Sequence, residues 1–534
     1  MRSTENYTDA LIVGAGPSGM VLAALLARQG LTVRIVERHP SRLRFPKAHV
    51  VNPVTLDICA RAGFAVPAMV AAAVPPHQDR YGRFRTSLVG EELGAIPFER
   101  QPDSWVPRPR INLGQPKFEA ILEWALQVLP TIDYITGRWL EMRRDGALIS
   151  SRVAENAGER SYESRFVIAA DGAASTVRQA AGIPATAYSE GRNRISVHIA
   201  ADLRPWLAGA PAGIYWVLDP AARGTFIAHN IANEWVYVYD SPAVEAQLPG
   251  RIHQRVRRAI GADVPFDILG ISPWVMACEV ADRFREGNVF LVGDAAHRLP
   301  PTGGLGMNTG IQDAENLAWK LAAVVGGWAT EAILDTYNDE RRPVGIANAL
   351  QSRRNAAAMD DLYHTVGTAI TGSRLDGLGE ERLAWLLNDQ WDHLNSPALQ
   401  FGYTYAATGR SAAAGRYTPC GDPGHRLPHT WVRHGVDPQP VADLVSLDKF
   451  TVLANGAGED YEKLACGSVA PVDVVDVGGA VPAGWLETVK LTAPKSALVV
   501  RPDTHIVGTC PSPASGPWAA VQRQMVAYAS GMTA

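Results

Sequence analysis

The sequence predicts an α/β protein, with a doubly wound sheet interrupted by an inserted antiparallel sheet and followed by a smaller α/β unit. Three observations predict it. Residues 9–40, DALIVGAGPSGMVLAALLARQGLTVRIVERHP, set a glycine-rich turn between an apolar run and a helical pattern. Two later apolar strands end on an aspartate beside a glycine and lead into helices. Between them, residues 194–240 alternate in short runs broken by turn residues.

In the first segment, Ala10 to Val13 is a continuous apolar run, Pro17 to Gln29 has apolar residues at helical spacing, and Leu31 to Val36 is β-rich. That order reads as strand, turn, helix, strand. Gly14 permits the tight turn, Gly16 lets a pyrophosphate approach the backbone, and Gly19 lets helix and strand pack closely, with the helix start offering free amides to the anion. Glu37, 18 residues past Gly19, ends the second strand, where a carboxylate accepts hydrogen bonds from a ribose. The segment reads as a dinucleotide site, with FAD and NAD both open.

The totals narrow the function classes. With 534 residues and a formal charge of -4 from 50 basic and 54 acidic residues, the chain has no electrostatic footprint for nucleic acid or a membrane surface. Gly14, Gly16, Pro17 and Gly19 interrupt the apolar stretch from Ala10 to Ala27, which argues against a membrane span. Cys59, Cys278, Cys420, Cys466 and Cys510 lack zinc or C-x-x-C spacing and fit a reducing cytoplasm. The polar N-terminus has no signal-peptide layout. A cytoplasmic protein that takes small molecules and no metal is expected.

Residues 164–182, SRFVIAADGAASTVRQAAG, run a buried-type strand into Asp171-Gly172, with Ser175 and Arg178 opening a helix. Residues 286–325, EGNVFLVGDAAHRLPPTGGLGMNTGIQDAENLAWKLAAVV, repeat the plan: strand Val289 to Val292, then Gly293-Asp294, a Pro and Gly loop, and a long amphipathic helix after Asn308. Asp294 stands at a strand terminus where it can hydrogen-bond a polyol. Gly303 to Asn308 precede a helix start whose amides favour negative charge on a ligand.

Taken in this order, the three segments resemble the fingerprints of the single-component flavin-dependent aromatic hydroxylases, the p-hydroxybenzoate hydroxylase and phenol hydroxylase type, over roughly residues 8–355. The resemblance implies a Rossmann-like FAD-binding domain of the glutathione reductase type. It assigns the ADP part of FAD to Gly14, Gly16, Pro17, Ser18, Gly19, Glu37 and Arg38, and links Asp171 and Gly172 to both FAD and NAD(P)H. Gly293 and Asp294 would hold the ribityl chain, and Pro301, Gly303, Gly306, Met307 and Asn308 would lie against the isoalloxazine. Gln115, in RINLGQPKFEAIL, is similar to a glutamine that reaches the flavin from a helix start. The implied chemistry is that NADH or NADPH reduces FAD, O₂ adds at the flavin C4a, and the hydroperoxide transfers OH to an electron-rich ring. A helix start beside the flavin suits this, because its amides stabilise the negative charge of the reduced ring.

Residues 194–240 read as an antiparallel meander of RISVHIAADL, GIYWVLDP, GTFIAHNI and EWVYVYD. By alternation, Trp235, Tyr237 and Tyr239 share one face, Tyr215 and Val217 oppose Trp216 and Leu218, and Ile227 and His229 oppose Phe226 and Ala228. In the resembled family such a sheet roofs the flavin, so Tyr215, His229, Tyr237 and Trp274 are candidate pocket residues. His49 and Asn52, just past the second strand, are further candidates. No catalytic residue is assigned.

After about Arg354 the helical pattern runs through EERLAWLLNDQWDHL to a Gly, Pro and His-rich connector. Residues 445–534 then read as strands DKFTVLANG and VDVVDVGG, the hairpin SALVVRPDTHIVGTC, and a helix from Pro517 to Ala529. This resembles the thioredoxin-like C-terminal domain of the phenol hydroxylase branch, without its C-x-x-C. The expected division is 1–190 and 281–400 for the two parts of the FAD-binding domain, 191–280 for the substrate sheet, and 401–534 for the connector and C-terminal domain. The expected activity is hydroxylation of a phenolic or polycyclic aromatic compound, with a homo-oligomer as a further expectation. Two other readings stay open: a flavoenzyme of the same fold that epoxidises or oxidises a larger natural product, and a flavin-binding interaction module.

Overall fold

The computed structural model describes residues 6–41, 45, 47–207, 209, 211–372, 379–405, 415–433 and 437–531. The apolar strand Tyr7–Val13 lies between parallel partners, with Ala10 opposite Val33 of Val33–Glu37 on one side and opposite Phe166 of Gly158–Ala169 on the other. Val289–Leu291 and Ile132–Asp145 extend this parallel set at its two sides. Burial on both faces explains the unbroken apolar runs, since Ala10, Leu11, Ile12 and Phe166 to Ala169 expose no surface. Ile132–Asp145, Leu148–Glu155 and Gly158–Ala169 also form an antiparallel meander, which makes the seven-stranded sheet mixed. Charged residues in their outer halves hide these strands from an apolar reading.

Glycines bring the three sequence motifs to one point. Cβ atoms on Gly14 and Gly19 would collide with the carbonyl oxygens of Ala170 and Gly14, so the helix Pro17–Arg28 and the end of the second motif close directly on the first turn. Ser18 fits against Gly293 and Gly310 in the same way, locking Pro17–Arg28 to the helix Gly306–Val325.

The second sheet has eight strands. Ala185–Ala200, Ile214–Val217, Gly224–Asn230 and Glu234–Asp240 answer to the expected meander, and Asp267–Ala281 pairs along Ala185–Ala200. The hairpin of Tyr81–Arg85 and Glu92–Pro97 joins through a parallel pairing with Ile214–Val217. The sheet is therefore not wholly antiparallel, and part of the first 190 residues belongs to it.

Its two faces meet different partners. Tyr215, Phe226, Trp235, Tyr237 and Tyr239 pack with Ile252, Val256 and Ile260 of the helix Pro249–Ile260. Tyr215 and Tyr237 expose no surface; the Tyr215 hydroxyl accepts from Ala212 N at 2.7 Å and that of Tyr237 donates to Ala222 O at 2.6 Å. This corrects the expectation that Tyr215 and Tyr237 line a pocket. The alternation is as read, but the helix-side core takes their face. Trp216, on the opposite face, stacks on Phe84 and packs with Leu362 and Val366 of the helix Asp335–Thr371.

The C-terminal sheet runs Val472–Asp476, Phe450–Ala454, Ala497–Val500, Ile506–Cys510, and the helix Ser515–Ala529 packs on it. A buried ionic network joins it to the helices Gly306–Val325 and Asp335–Thr371. Arg501 donates to both oxygens of Glu340 at 2.6 and 2.8 Å and to Asp503 at 2.6 Å, and Lys320 donates to Glu340 at 2.7 Å. Burial opposes charge on Glu340, yet Arg501 and Lys320 hold its carboxyl at about 2.

Two consequences are measurable. Gly19→Ala is expected to destabilise the protein by about 1–3 kcal/mol through overpacking; a thermal midpoint equal to wild type would show that the turn can give way. Arg501→Met removes the cation shared by two buried carboxylates, Glu340 and Asp503, and is expected to cost about 3–5 kcal/mol at neutral pH, measured by urea denaturation. Because the folded-state value of Glu340 is depressed, its contribution is whole above its ordinary value of 4.5 and is lost as pH falls toward about 2. The deficit of Arg501→Met should therefore shrink on acidification, and a pH-independent deficit would contradict this account.

Candidate functional site

The first turn keeps open the features an anionic ligand needs. A Cβ on Gly16 would meet nothing, and among the described residues the amides of Gly16, Ser18 and Gly19 have no acceptor. Glu37 accepts from Ala15 N at 2.8 Å and His39 N at 2.9 Å, which folds its carboxylate over the turn, and Arg38 is exposed beside it. In the second motif, Asp171 Oδ2 accepts from Thr176 N at 2.7 Å and Val177 N at 3.2 Å, while Ser175 Oγ accepts from Arg178 N at 3.0 Å. Both side chains cap the short helix Thr176–Ala180. Gly172, at φ +82°, has open space above it.

The third motif turns at Gly293, φ +59°. Asp294 is exposed although it sits deep in the fold, and desolvation raises its carboxyl above the usual range, with His297, Lys47 and Arg298 pulling the other way. The loop closes through Gly304 N donating to the exposed Pro301's carbonyl at 3.2 Å, with Gly303 and Gly304 at positive φ. At the start of Gly306–Val325, the amides of Gly306, Met307 and Asn308 have no described acceptor, and the space over Gly306 is open.

Several side chains brace this loop rather than face a ligand. Asn308 Nδ2 donates to Val50 O and Gly304 O at 3.0 and 2.7 Å, and its Oδ1 accepts from Asn52 N and Thr55 Oγ1 at 3.0 and 2.7 Å. Only its amide stays free. Asn52 is corrected from a pocket candidate to a helix cap, because its Oδ1 accepts from Thr55 N at 2.8 Å at the start of Pro53–Arg61 and the residue is 2 % exposed. Gln115 opens the helix Gln115–Leu126, accepts from Ala48 N at 3.2 Å and donates to Glu119 at 2.7 Å.

His49 and His229 do come together, with ring centroids 5.8 Å apart. Burial pushes their imidazoles down to about 4 and about 3. Trp274 Nε1 donates to Ser196 Oγ at 2.9 Å, on the strand positions that alternate away from the helix-side core. A hollow of about 440 Å³ lined by Asp202, His253, Arg257 and Phe266 opens on the helix side of this sheet, and no fingerprint residue lines it.

Sequence reasoning missed the group that holds the third motif. Asp313 Oδ2 accepts from Gly293 N at 3.2 Å and stands 2.7 Å from His297 Nε2, and its Oδ1 accepts from Arg341 Nε at 2.8 Å. A charge in the buried stripe of a helix is the sequence signal that could have found it.

Two helix starts with unpaired amides, an acid over the first turn and an exposed aspartate at the second fit a dinucleotide with a polyol arm, the chemistry of FAD. Among the described residues, no cluster of His, Cys, Asp or Glu could hold a metal, and no helix is long and apolar enough to cross a membrane.

Comparison with known proteins agrees. Residues 7–352 match the FAD binding domain family, and residues 421–527 match the aromatic-ring hydroxylase C-terminal family. The tetracenomycin B2 monooxygenase-dioxygenase of Streptomyces olivaceus is 31% identical, with 95% of this chain and 96% of that protein aligned. The 2,4-dichlorophenol 6-monooxygenase of Cupriavidus pinatubonensis is 28% identical, over 97% and 96%. The crystal structure of the flavin-dependent monooxygenase PieE in complex with FAD and substrate superposes with a TM-score of 0.90 at 26% identity, covering 98% of this chain and 99% of that one. The chain belongs to the FAD-dependent aromatic-ring hydroxylases.

Proposed function

We propose that the protein is an NAD(P)H- and O₂-consuming monooxygenase that hydroxylates a phenolic or polycyclic aromatic substrate. The observation that carries this reading is the pair of free-amide helix starts, at Gly16–Gly19 and Gly306–Asn308, with the exposed Asp294 carboxylate at the second. Relatives named for tetracenomycin B2 and for 2,4-dichlorophenol support aromatic substrates of either size.

When bound, FAD would supply the redox chemistry between NAD(P)H and O₂. The chain supplies the rest. Gly16, Ser18 and Gly19 would bind the pyrophosphate through their amides, with Glu37, folded over the turn, on the side of the ribose. Arg38 adds positive charge beside it. Asp294 would take the ribityl hydroxyls, and the amides of Gly306, Met307 and Asn308 would serve the flavin's negative edge. Gln115 and Asn308 hold residues 48–52 against that loop. Asp171 and Gly172 shape the pyrophosphate end, with Asp171 acting through the helix that it caps. His229 and Trp274 form the substrate side, where the sheet excludes water.

In this reading the seven-stranded sheet is a Rossmann-like domain of the glutathione reductase type. The C-terminal unit is thioredoxin-like in plan, without the C-x-x-C of a dithiol site.

Asp294→Ala is expected to weaken FAD binding by about 1.5–3 kcal/mol, tenfold or more, and more than Asp171→Ala does. Titrating apoprotein with FAD would test this, and equal affinities for wild type and Asp294→Ala would remove Asp294 from the site. An aromatic ligand should speed NAD(P)H oxidation by at least about tenfold, or about 1.4 kcal/mol in barrier, in stopped-flow reduction with phenols, naphthols and aromatic polyketides. Fast reduction indifferent to every ligand, with H₂O₂ as the only product, would favour an oxidase.

A further inference from the structure

Trp216 stands on the same face of the second sheet as Trp274, and the register of the strands measures the distance between them. Trp216 lies opposite Thr225, Thr225 opposite Val238, and Val238 opposite Ser196, whose hydroxyl holds the Trp274 indole. Paired residues share a face, so these four form one row across the sheet. Three strand spacings separate its ends, about 14 Å in all.

The middle of this row is open. Along Gly224–Asn230 the helix-side residues Phe226 and Ala228 expose no surface, whereas Thr225 and Ile227 are only partly buried, as is Trp274. Ile214 and Val236, on either side of Ile227, extend the floor with branched apolar side chains.

The helix Asp335–Thr371 gives a second measure. It meets the loop assigned to the flavin where Asn355 Nδ2 donates to Thr302 O at 3.3 Å and Ser352 O accepts from Thr302 Oγ1 at 2.6 Å. Further along, Leu362 and Val366 share a buried cluster with Trp216. From Asn355 to these two residues the helix rises about 10–16 Å. Both measures put Trp216 beyond the reach of a single ring placed against the loop.

Trp216 is fixed in place. It is 3 % exposed, stacks on Phe84 with ring centroids 4.6 Å apart, and meets the His393 ring edge-on at 5.3 Å. Gly82 leaves the space that the indole fills, since a Cβ there would come within 2.6 Å of it. Beside it, His393 Nδ1 and both amide atoms of Gln390 are buried without a partner among the described residues, and Gln390 is 1 % exposed. The indole therefore divides an open, mainly apolar floor from buried polar groups that nothing described satisfies.

We propose that Trp216 is the end stop of the substrate floor and selects by length, so that the protein takes a fused aromatic of more than one ring, lying along Thr225 and Ile227, in preference to a single phenol ring; this rests on the hydroxylase reading above. A single ring against the loop would leave most of that floor wet, whereas each further ring removes apolar surface from water until it meets the indole. Removing the indole lengthens the floor and opens it toward His393 and Gln390.

Straight-chain 6-alkyl-2-naphthols, methyl to octyl, serve as rulers, with dissociation constants read from the change each causes in the flavin spectrum of the holoenzyme. In wild type, affinity should rise about threefold with each added carbon and then fall at a definite chain length. Trp216→Ala should move that break to a longer chain, by about two carbons or more, and Trp216→Leu, which keeps more of the packing against Phe84, by about one. FAD content reports folding, and a merely loosened protein weakens every ligand without moving the break. If Trp216→Ala does not retain FAD, Trp216→Leu decides alone. 2-Naphthol should bind at least about tenfold more tightly than phenol. A wild type without a break, a break unmoved in the folded variants, or phenol bound as tightly as 2-naphthol overturns the proposal. A break that moves as expected, while every probe yields H₂O₂ alone, upholds the end stop and overturns the hydroxylase reading for these compounds.

Discussion

The carboxylate of Asp313 is the interaction on which the rest of the site depends. It exposes no surface and is held by His297, Arg341 and the amide of Gly293. His297 and Arg341 hold its carboxyl below the usual carboxylate range, although burial disfavours its charge. Its grip on Gly293 sets the turn that presents Asp294. Arg341 also reaches the Tyr405 hydroxyl at 3.1 Å, and Tyr405 stacks on His505. One connected polar network therefore runs from the cofactor turn to the C-terminal sheet. Such a network rigidifies when fully paired, whereas removing one member strands buried charge.

This arrangement makes the C-terminal unit part of the site's support. Trp319, on the helix that begins at Gly306, lies 6.2 Å from Phe450 and beneath the Arg501 guanidinium at 5.1 Å. The helix Gly306–Val325 is thus clamped at its start by Asn308 and along its length by the C-terminal strands.

The second sheet shows how a correct periodicity can leave a functional question open. Alternation separates Tyr215 and Tyr237 from His229 and Trp216 without saying which set meets the cofactor. The amphipathic helix Pro249–Ile260 settles it by covering the tyrosine face. The imidazole left on the other face meets His49, which lies 180 residues earlier in the chain. Asn52 is open in sequence for a related reason: an asparagine before a proline serves equally as a cap or as a ligand contact, and only its bond to Thr55 N distinguishes them.

By itself, the sequence determined the elements whose signals are local. The glycine turns, the strands buried on both faces, the acids at strand ends and the alternating meander all follow from backbone sterics and side-chain period. Tertiary structure alone decided the pairings between distant residues: the hairpin of residues 81–97 joined to the second sheet, the Asp313 network, and the His49–Asn112–Asp79 chain. A buried ion or imidazole is tolerable only beside the partner that satisfies it, and that partner is chosen by the packing of the whole chain rather than by neighbours in sequence.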